Sequence, residues 1–321
     1  MTTSVRRPDP SDFDWPAEQG LASEVRAVLD AATTADGVAP LDEAALLTLR
    51  HHGIAGSTLL TAGPVAGGPA AGGAAAGFAW LRDGSVDLVV HPEHRRHGLG
   101  RALLDEALDV TRPAALTAWS RGNHPGAAAL AAATGFDRVR DLWVMRLVVD
   151  GPEDLPELPD RSGSGVDVRA FRPGHDEEAF LALNAVAFSG HPEQGRLTRQ
   201  DLELRLSEPW FDPAGFFVAV STSPTSDGPG QEGELLGFHW TKVHPGEPGH
   251  GEVYVVGVSP RAQGAGLGRL LTLAGLHHLV GLGLPEVILY VEAENAPARA
   301  VYERLGFTHA AADTHVLYHH P

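Results

Sequence analysis

The sequence contains no cysteine, which excludes disulfides, thiol nucleophiles and thiolate metal ligands and makes a reducing cytoplasm the expected address. No run reaches the roughly 18 apolar residues of a spanning helix. The amino terminus, "MTTSVRRPDPSDFDWP", has no apolar core of signal-peptide length. Basic residues are scarce: 24 Lys and Arg against 41 Asp and Glu give a formal charge of −17. Nucleic acid and anionic membranes are therefore not expected as partners, because neutralising phosphates takes massed positive charge. The 17 histidines include adjacent pairs (His51-His52, His277-His278, His319-His320) whose rings diverge on a helix or strand, and no His-Glu-x-x-His occurs, so no metal is expected.

What is present is glycine and repetition. The 321 residues include 38 glycines and 24 prolines, concentrated in loop-like stretches at 61–77, 150–165 and 221–233. The middle one, "DGPEDLPELPDRSGSG", falls near the midpoint and reads as a linker between a domain over 1–149 and a second over 166–321. On either side the same phrases recur in the same order. "GFAW" at 77 returns as "GFHW" at 237, "VDLVVHPEHRRHGLGRALL" (86–104) as "VYVVGVSPRAQGAGLGRLL" (253–271), and "NHPGAAALAAATGF" (123–136) as "NAPARAVYERLGF" (295–307). Three matching glycines give offsets of 237 − 77 = 160, 266 − 98 = 168 and 306 − 135 = 171, the order and small insertions of a tandem duplication.

Each half reads as helix, strand, strand, glycine turn, helix, strand, helix, strand. In the second half the pattern predicts a strand at 166–171, a helix at 175–188 and a hairpin around the 221–233 loop. It continues with a helix at 269–283, a buried strand at 286–293 and a short helix at 296–307 closed by Gly306. The fold class is α/β (α+β), twice over.

At "QGAGLGR" the glycines Gly264, Gly266 and Gly268 permit positive φ and close backbone approach, so that successive N–H groups can point one way. With the N-terminal dipole of the following helix, this makes a diphosphate cradle that works without massed positive charge. Arg95, Arg96, Arg101, Arg261 and Arg269 add local attraction. A tight turn packed for structural reasons alone is the alternative. A dinucleotide fingerprint is disfavoured, since G-x-G-x-x-G would need glycine at Arg269 and Leu103.

The pattern [Q/R]-x-x-G-x-[G/A], present as "RRHGLG" (95–100) and "QGAGLG" (263–268), resembles the acyl-CoA signature of the GCN5-related N-acetyltransferases (GNAT), and Asn295, Ala298, Tyr302, Gly306 and Phe307 resemble their later motif. The resemblance implies two tandem acyl-CoA N-acyltransferase domains, each a mixed, mostly antiparallel sheet flanked by helices, acting with acetyl-CoA. It further implies cofactor contacts from Val256, Gly257, Val258, Gln263, Gly264, Ala265, Gly266, Leu267, Gly268, Arg269, Asn295 and Arg299. In the first half the corresponding positions are Leu88, Val89, Val90, Arg95, Arg96, Gly98, Gly100 and Arg101.

Aminolysis of a thioester needs a neutral amine and benefits from a proton donor to the departing thiolate. Glu252 opens the strand before the turn and Tyr302 lies on the last helix, whereas the first half offers Gly84 or Ser85, and Ala131 or Leu130, at those places. A catalytic second half and a binding or supporting first half are expected. A solvated strand end for Glu252 and a core aromatic for Tyr302 are the structural alternatives.

Further phrases, "HPEQGRLT", "GFHWTKVHP" and "LYVEAENAPARAVYERLGF", resemble an actinobacterial tandem branch that acetylates the cysteinyl amine of a thiol pseudo-disaccharide, cysteinyl-glucosaminyl-inositol. That resemblance implies substrate contacts from Glu43, Glu193, Lys242, Glu252 and Tyr290, with an exposed surface charge, or for Tyr290 a core aromatic, as the structural alternatives. His239 and His244 are expected to flank the acceptor cleft, surface histidine being the alternative, and the chain is expected to act as a monomer. Such an α-amine, with pKa near 8, pays about 1.4 kcal/mol to be neutral at pH 7, against about 4.6 kcal/mol for a lysine amine. Another small amine or a protein N-terminus as acceptor, and a non-catalytic acyl-CoA sensor, remain the rivals.

Overall fold

The duplication is visible as two compact units, each with its own core. The computed structural model describes residues 4–63, 75–160, 163–190, 194–222, 231–246 and 249–321. Along the first half run β1 (Val5–Arg6), α1 (Leu21–Asp36), α2 (Glu43–His52), β2 (Thr58–Ala62), β3 (Gly77–Arg82), β4 (Ser85–Val90), α3 (Leu99–Thr111), β5 (Leu116–Ser120), α4 (Pro125–Thr134) and β6 (Asp137–Val148). The second half follows with β7 (Val166–Ala170), α5 (Glu177–Ala187), α6 (Arg199–Leu206), β8 (Phe216–Ser221), β9 (Leu235–His244), β10 (His250–Val258), α7 (Leu267–Gly281), β11 (Glu286–Glu292), α8 (Ala296–Arg304) and β12 (Thr308–His320).

In the first unit β1 to β4 form an antiparallel meander, and β4 touches β5 in parallel at the single pair Ser85–Thr117. Period-two alternation gives β3 two apolar faces. Phe78 and Trp80 pack with Val25, Val28 and Ala32 of α1, while Ala79 and Leu81 pack with Leu99, Leu103 and Ala107 of α3. The second unit repeats this with β7 to β10 antiparallel and β10 to β11 parallel. Its α5 side is aromatic: Phe171 stacks on Phe216 at 4.3 Å and Phe216 on Trp240 at 4.6 Å, with the edge of Phe180 against both Phe216 and Phe238. Offset and edge-on rings are the arrangements the ring quadrupole favours.

The units do not divide at the 150–165 stretch. The first comprises residues 1–143, 292–294 and 310–321; the second comprises 144–291 and 295–309. Residues 316–320 of β12 pair antiparallel with 116–120 of β5 in the first unit. In the second, Val149 donates its N–H to the Pro285 carbonyl at 3.2 Å and Arg146 pairs with Glu286 at 3.2 Å. Each unit thus completes its sheet with strand residues from the other half of the sequence. The stretch read as a linker packs on the second unit instead: Leu155 is buried, and His277 Nε2 lies 2.9 Å from the Pro156 carbonyl. Among the described residues no helix is long and apolar enough to cross a membrane.

Candidate active site

Both glycine turns have the geometry that an anion cradle requires. Gly264 and Gly266 take φ of +83° and +76°, and Gly98 takes +86°. A Cβ built on Gly264 or Gly98 would meet nothing within 4 Å, so these turns face open space. Gly266 and Gly98 are the N-caps of α7 and α3, neither with a side-chain cap. The amides of Leu267, Gly268 and Arg269 therefore point out of the helix without intrahelical acceptors, as do those of Leu99, Gly100 and Arg101. Gln263, Gly264, Ala265 and Gly266 are all exposed.

Several arginines expected to add attraction are already engaged. Arg95 donates to both oxygens of Asp36 at 2.6 and 2.7 Å, Arg101 holds Asp105 at 2.7 and 2.8 Å, and Arg261 pairs with Glu234. Among the described residues Arg96 and Arg269 have no ion-pair partner and are the cations left at the turns.

Below each turn two parallel strands part. β10 pairs with β11 only from Gly251–Val287 to Val253–Leu289, then leaves it. Ser259 donates its N–H back to Leu236 on β9 at 2.8 Å, and strand alternation turns the N–H groups of Val256 and Val258 the other way, into the opening. Gly257 differs from its neighbours: its main chain faces β9, and a Cβ there would meet the Phe238 ring at 2.6 Å, so this glycine serves packing. In the first unit His91 donates to Ala76 at 2.8 Å, and Leu88 and Val90 face the opening in the same way, while Val89 takes the Gly257 phase.

Ahead of the opening in the second unit lies a polar face. Lys242 and Glu252 are register partners, as are His244 and His250, and Glu252 is level with Ile288 on β11, so all these side chains share one side of the sheet. Glu252 is only 6% exposed and binds His244, Nε2 to Oε2, at 2.5 Å. Lys242, the single lysine of the sequence, rests its ammonium 4.4 Å above the Trp210 ring and 5.3 Å from that of Tyr254. Tyr254 accepts from Arg205 of α6 at 2.8 Å. Tyr290, expected from periodicity in a buried strand, is 40% exposed instead, because it is the first residue of β11 beyond the pairing with β10.

A β-bulge at Tyr254 shifts the register of β10 on β9 between Val253 and Val255. The first unit has no such bulge, so Ser85 opposite Arg82 occupies the place of Glu252 opposite Lys242. Tyr302, on α8, is half-buried, with Phe307 at 5.9 Å edge-on. Burial pushes its phenol up to about 12, and its hydroxyl makes no hydrogen bond among the described residues. Asn295 caps α8, accepting from Ala298 N–H at 3.2 Å, with Arg299 one turn on.

In the first unit the opening is a cavity of about 490 Å³, lined by Leu88, Val89, Val90, Arg95, Arg96, Gly98, Gly100 and Arg101. Leu130 and Ala131 line it where the second unit has Tyr302, and Ser120 adds a buried hydroxyl oxygen with no hydrogen-bond partner among the described residues. Glu43 stands in the first turn of α2, in this same unit. Glu193 lies outside the described residues. His239 is neither at the cleft nor on the surface: it is fully buried, with Nδ1 2.7 Å from the Leu271 carbonyl. Trp210, Tyr254 and Arg205 were not foreseen; the T-x-x-D capping box Thr198–Asp201 was the available signal for α6, which carries Arg205. Among the described residues no group of three His, Asp or Glu side chains could hold a metal ion.

Residues 186–307 match the model of the acetyltransferase (GNAT) family, and residues 60–138 match that of a GNAT acetyltransferase domain. A mycothiol acetyltransferase of Nocardioides sp. is 51% identical over 308 residues, covering 93% of this chain and 97% of that protein. One from Thermomonospora curvata is 51% identical over 302 residues, 93% of each. The chain belongs to the mycothiol acetyltransferase family.

Membership makes it an acetyl-transferring enzyme with two GNAT domains, of a kind that uses acetyl-CoA. Among solved structures, a tandem GNAT protein from the clavulanic acid biosynthesis pathway superimposes with a TM-score of 0.69 at 22% identity, covering 99% of this chain and 98% of that one. A GCN5-related N-acetyltransferase from Sphaerobacter thermophilus gives 0.64 at 24%, covering 99% and 95%. At such identities these two speak for the mycothiol acetyltransferase family's fold alone.

Proposed function

We propose that the second unit transfers acetyl from acetyl-CoA to the cysteinyl amine of cysteinyl-glucosaminyl-inositol, giving mycothiol and coenzyme A, the last step of mycothiol biosynthesis, and that the first unit binds acetyl-CoA without turning it over. The observation that carries this reading is the asymmetry at the openings. Two matching glycine turns lie above two matching strand splays, yet only the second has a buried carboxylate, Glu252, and a tyrosine, Tyr302, where the first has Ser85 and Ala131 or Leu130.

Acetyl-CoA supplies the thioester; the residues hold and orient it. Amides from Gln263 to Arg269, with the Arg269 guanidinium, face the pyrophosphate, and Asn295 and Arg299 flank the arm. The N–H groups of Val256 and Val258 face the opening where an acetyl carbonyl oxygen would develop charge, so they act as its donors. Glu252 takes the proton of the attacking amine, and Lys242 and Tyr290 meet acceptor hydroxyls. A phenol at about 12 would give its proton to a thiolate of ordinary pKa near 8.5 only at a cost of about 5 kcal/mol. Tyr302 therefore stabilises the departing sulfur by hydrogen bonding rather than by full transfer. The amine attacks directly, with no acyl-enzyme and no metal; we take the chain to act as a cytoplasmic monomer with no nucleic acid or membrane partner.

Acetyl-CoA consumption measured against a panel of amines tests the reading. The cysteinyl pseudo-disaccharide should be turned over far faster than an aminoglycoside or a peptide N-terminus. Preference for either of the others would remove the proposed acceptor, and binding without turnover of any amine would favour a sensor.

A further inference from the structure

We propose that His244 is a positioning residue for Glu252, fixing the rotation of its carboxylate so that Oε1 is presented to the acceptor amine. This rests on the reading of Glu252 as the group that takes the amine proton. A carboxyl group so little exposed needs a hydrogen-bond partner from the protein. Among the described residues its one hydrogen-bonding side chain is His244, Nε2 to Oε2 at 2.5 Å, which leaves Oε1 free.

The histidine is itself held in place. His250, its register partner, stacks on it with ring centroids 4.5 Å apart and 11° between planes. Burial and the neighbouring His244 lower the pKa of His250, which favours a neutral stacked ring, while Glu252 and Glu286 act in the opposite sense and Arg146 in the same. Lys242, opposite Glu252, is seated over Trp210 and Tyr254. Two antiparallel strands thus present a histidine diagonal to the carboxylate, with its ring plane fixed by a second histidine.

In the reaction the bookkeeping of atoms is simple. The amine adds to the thioester carbonyl to form the C–N bond, its proton passes to Oε1, and the C–S bond then breaks to release the coenzyme A thiolate towards Tyr302, while the Nε2 proton stays on His244, donated to Oε2 throughout. His244 need not touch the substrate. Its contribution is to hold one oxygen so that the other is correctly aimed.

The test is a double-mutant cycle on the full chain, with kcat and KM for the acceptor and calorimetric Kd for acetyl-CoA. His244→Ala should lower kcat roughly 10- to 100-fold with acetyl-CoA affinity unchanged, the size of effect expected of a mis-set proton acceptor. His244→Gln, whose side-chain amide can donate to Oε2, should recover activity to within a few fold of the unmodified enzyme. His244→Ala combined with Glu252→Gln should be no slower than Glu252→Gln alone, because residues acting as a unit are non-additive. Losses that multiply, or a His244→Gln variant as poor as His244→Ala, would overturn the proposal. Full activity in His244→Ala beside an impaired Glu252→Gln would sink it while leaving the role of Glu252 intact, whereas full activity in Glu252→Gln would remove both. Should His244→Ala melt early, the Gln variant and its cycle with Glu252→Gln decide alone.

Discussion

The imidazole of His239 on β9 fills the space that any side chain at Gly275 of α7 would need, so the helix can lie against the strand there only as glycine. A Cβ on Gly275 would overlap the His239 ring and come within 2.8 Å of Thr241 Cγ2. The ring is fully buried and its Nδ1 donates to the Leu271 carbonyl, while Nε2 has no partner among the described residues.

Gly275→Ala should therefore destabilise the protein by about 1–3 kcal/mol through overpacking, although alanine is otherwise the better helix former. Denaturant unfolding read from tryptophan fluorescence checks this. An unchanged midpoint would mean that the helix and strand can separate freely.

The same ring predicts acid sensitivity. Burial lowers His239 to about 4, so the unfolded chain binds a proton near the ordinary 6.5 that the folded chain refuses. Stability is full above that value and falls as pH drops from about 6.5 to 4, by roughly 3 kcal/mol when complete. His315 in the first unit, lowered to about 3 by burial, acts with the same sign. Unfolding midpoints between pH 7.5 and 4.5 should decline less steeply in His239→Gln than in the unmodified chain.

Tyr302→Phe should lower kcat about 10- to 100-fold and leave calorimetric acetyl-CoA affinity unchanged, if the hydroxyl serves the departing sulfur alone. Loss of affinity instead would make it a binding residue.

Valine at either glycine N-cap would force a β-branched residue to positive φ and place a side chain in the cradle. Gly266→Val should abolish turnover. Gly98→Val should reduce acetyl-CoA stoichiometry from two to one with turnover retained. Calorimetry and initial rates on the two variants separate the units.

Lys242→Met keeps a stem of similar reach over Trp210 but removes the ammonium. Acceptor KM should rise at least about tenfold, the value of a charged hydrogen bond, with acetyl-CoA KM unchanged.

The glycine turns were legible in the sequence because conformation at Gly98, Gly264 and Gly266 is dictated by the residue itself, and the duplication supplied an internal control. Glu252 and Tyr302 stood out because the other copy lacks them. The bulge at Tyr254 was not legible, since one inserted residue leaves no compositional trace; it is why the counterpart of Glu252 could be read as Gly84 or Ser85. Tyr290 shows the limit of periodicity, which reports a strand's pleat but not where its neighbour departs. The His244–Glu252 contact is diagonal across two strands, so it depends on a register that the sequence of either strand alone does not state. His239 belongs to the opposite side of the sheet from Lys242, since three positions separate them along β9 and side chains alternate.

Because residues 310–321 complete the first unit, a nascent chain emerging from the ribosome cannot finish the unit that it begins first. Roughly half the protein must wait, with the flank of β5 bare, until residues 310–321 arrive, a long interval in which exposed strand edges invite chaperones or clumping. Genes cut at the midpoint should yield two insoluble fragments, and co-expression of both pieces should restore soluble material.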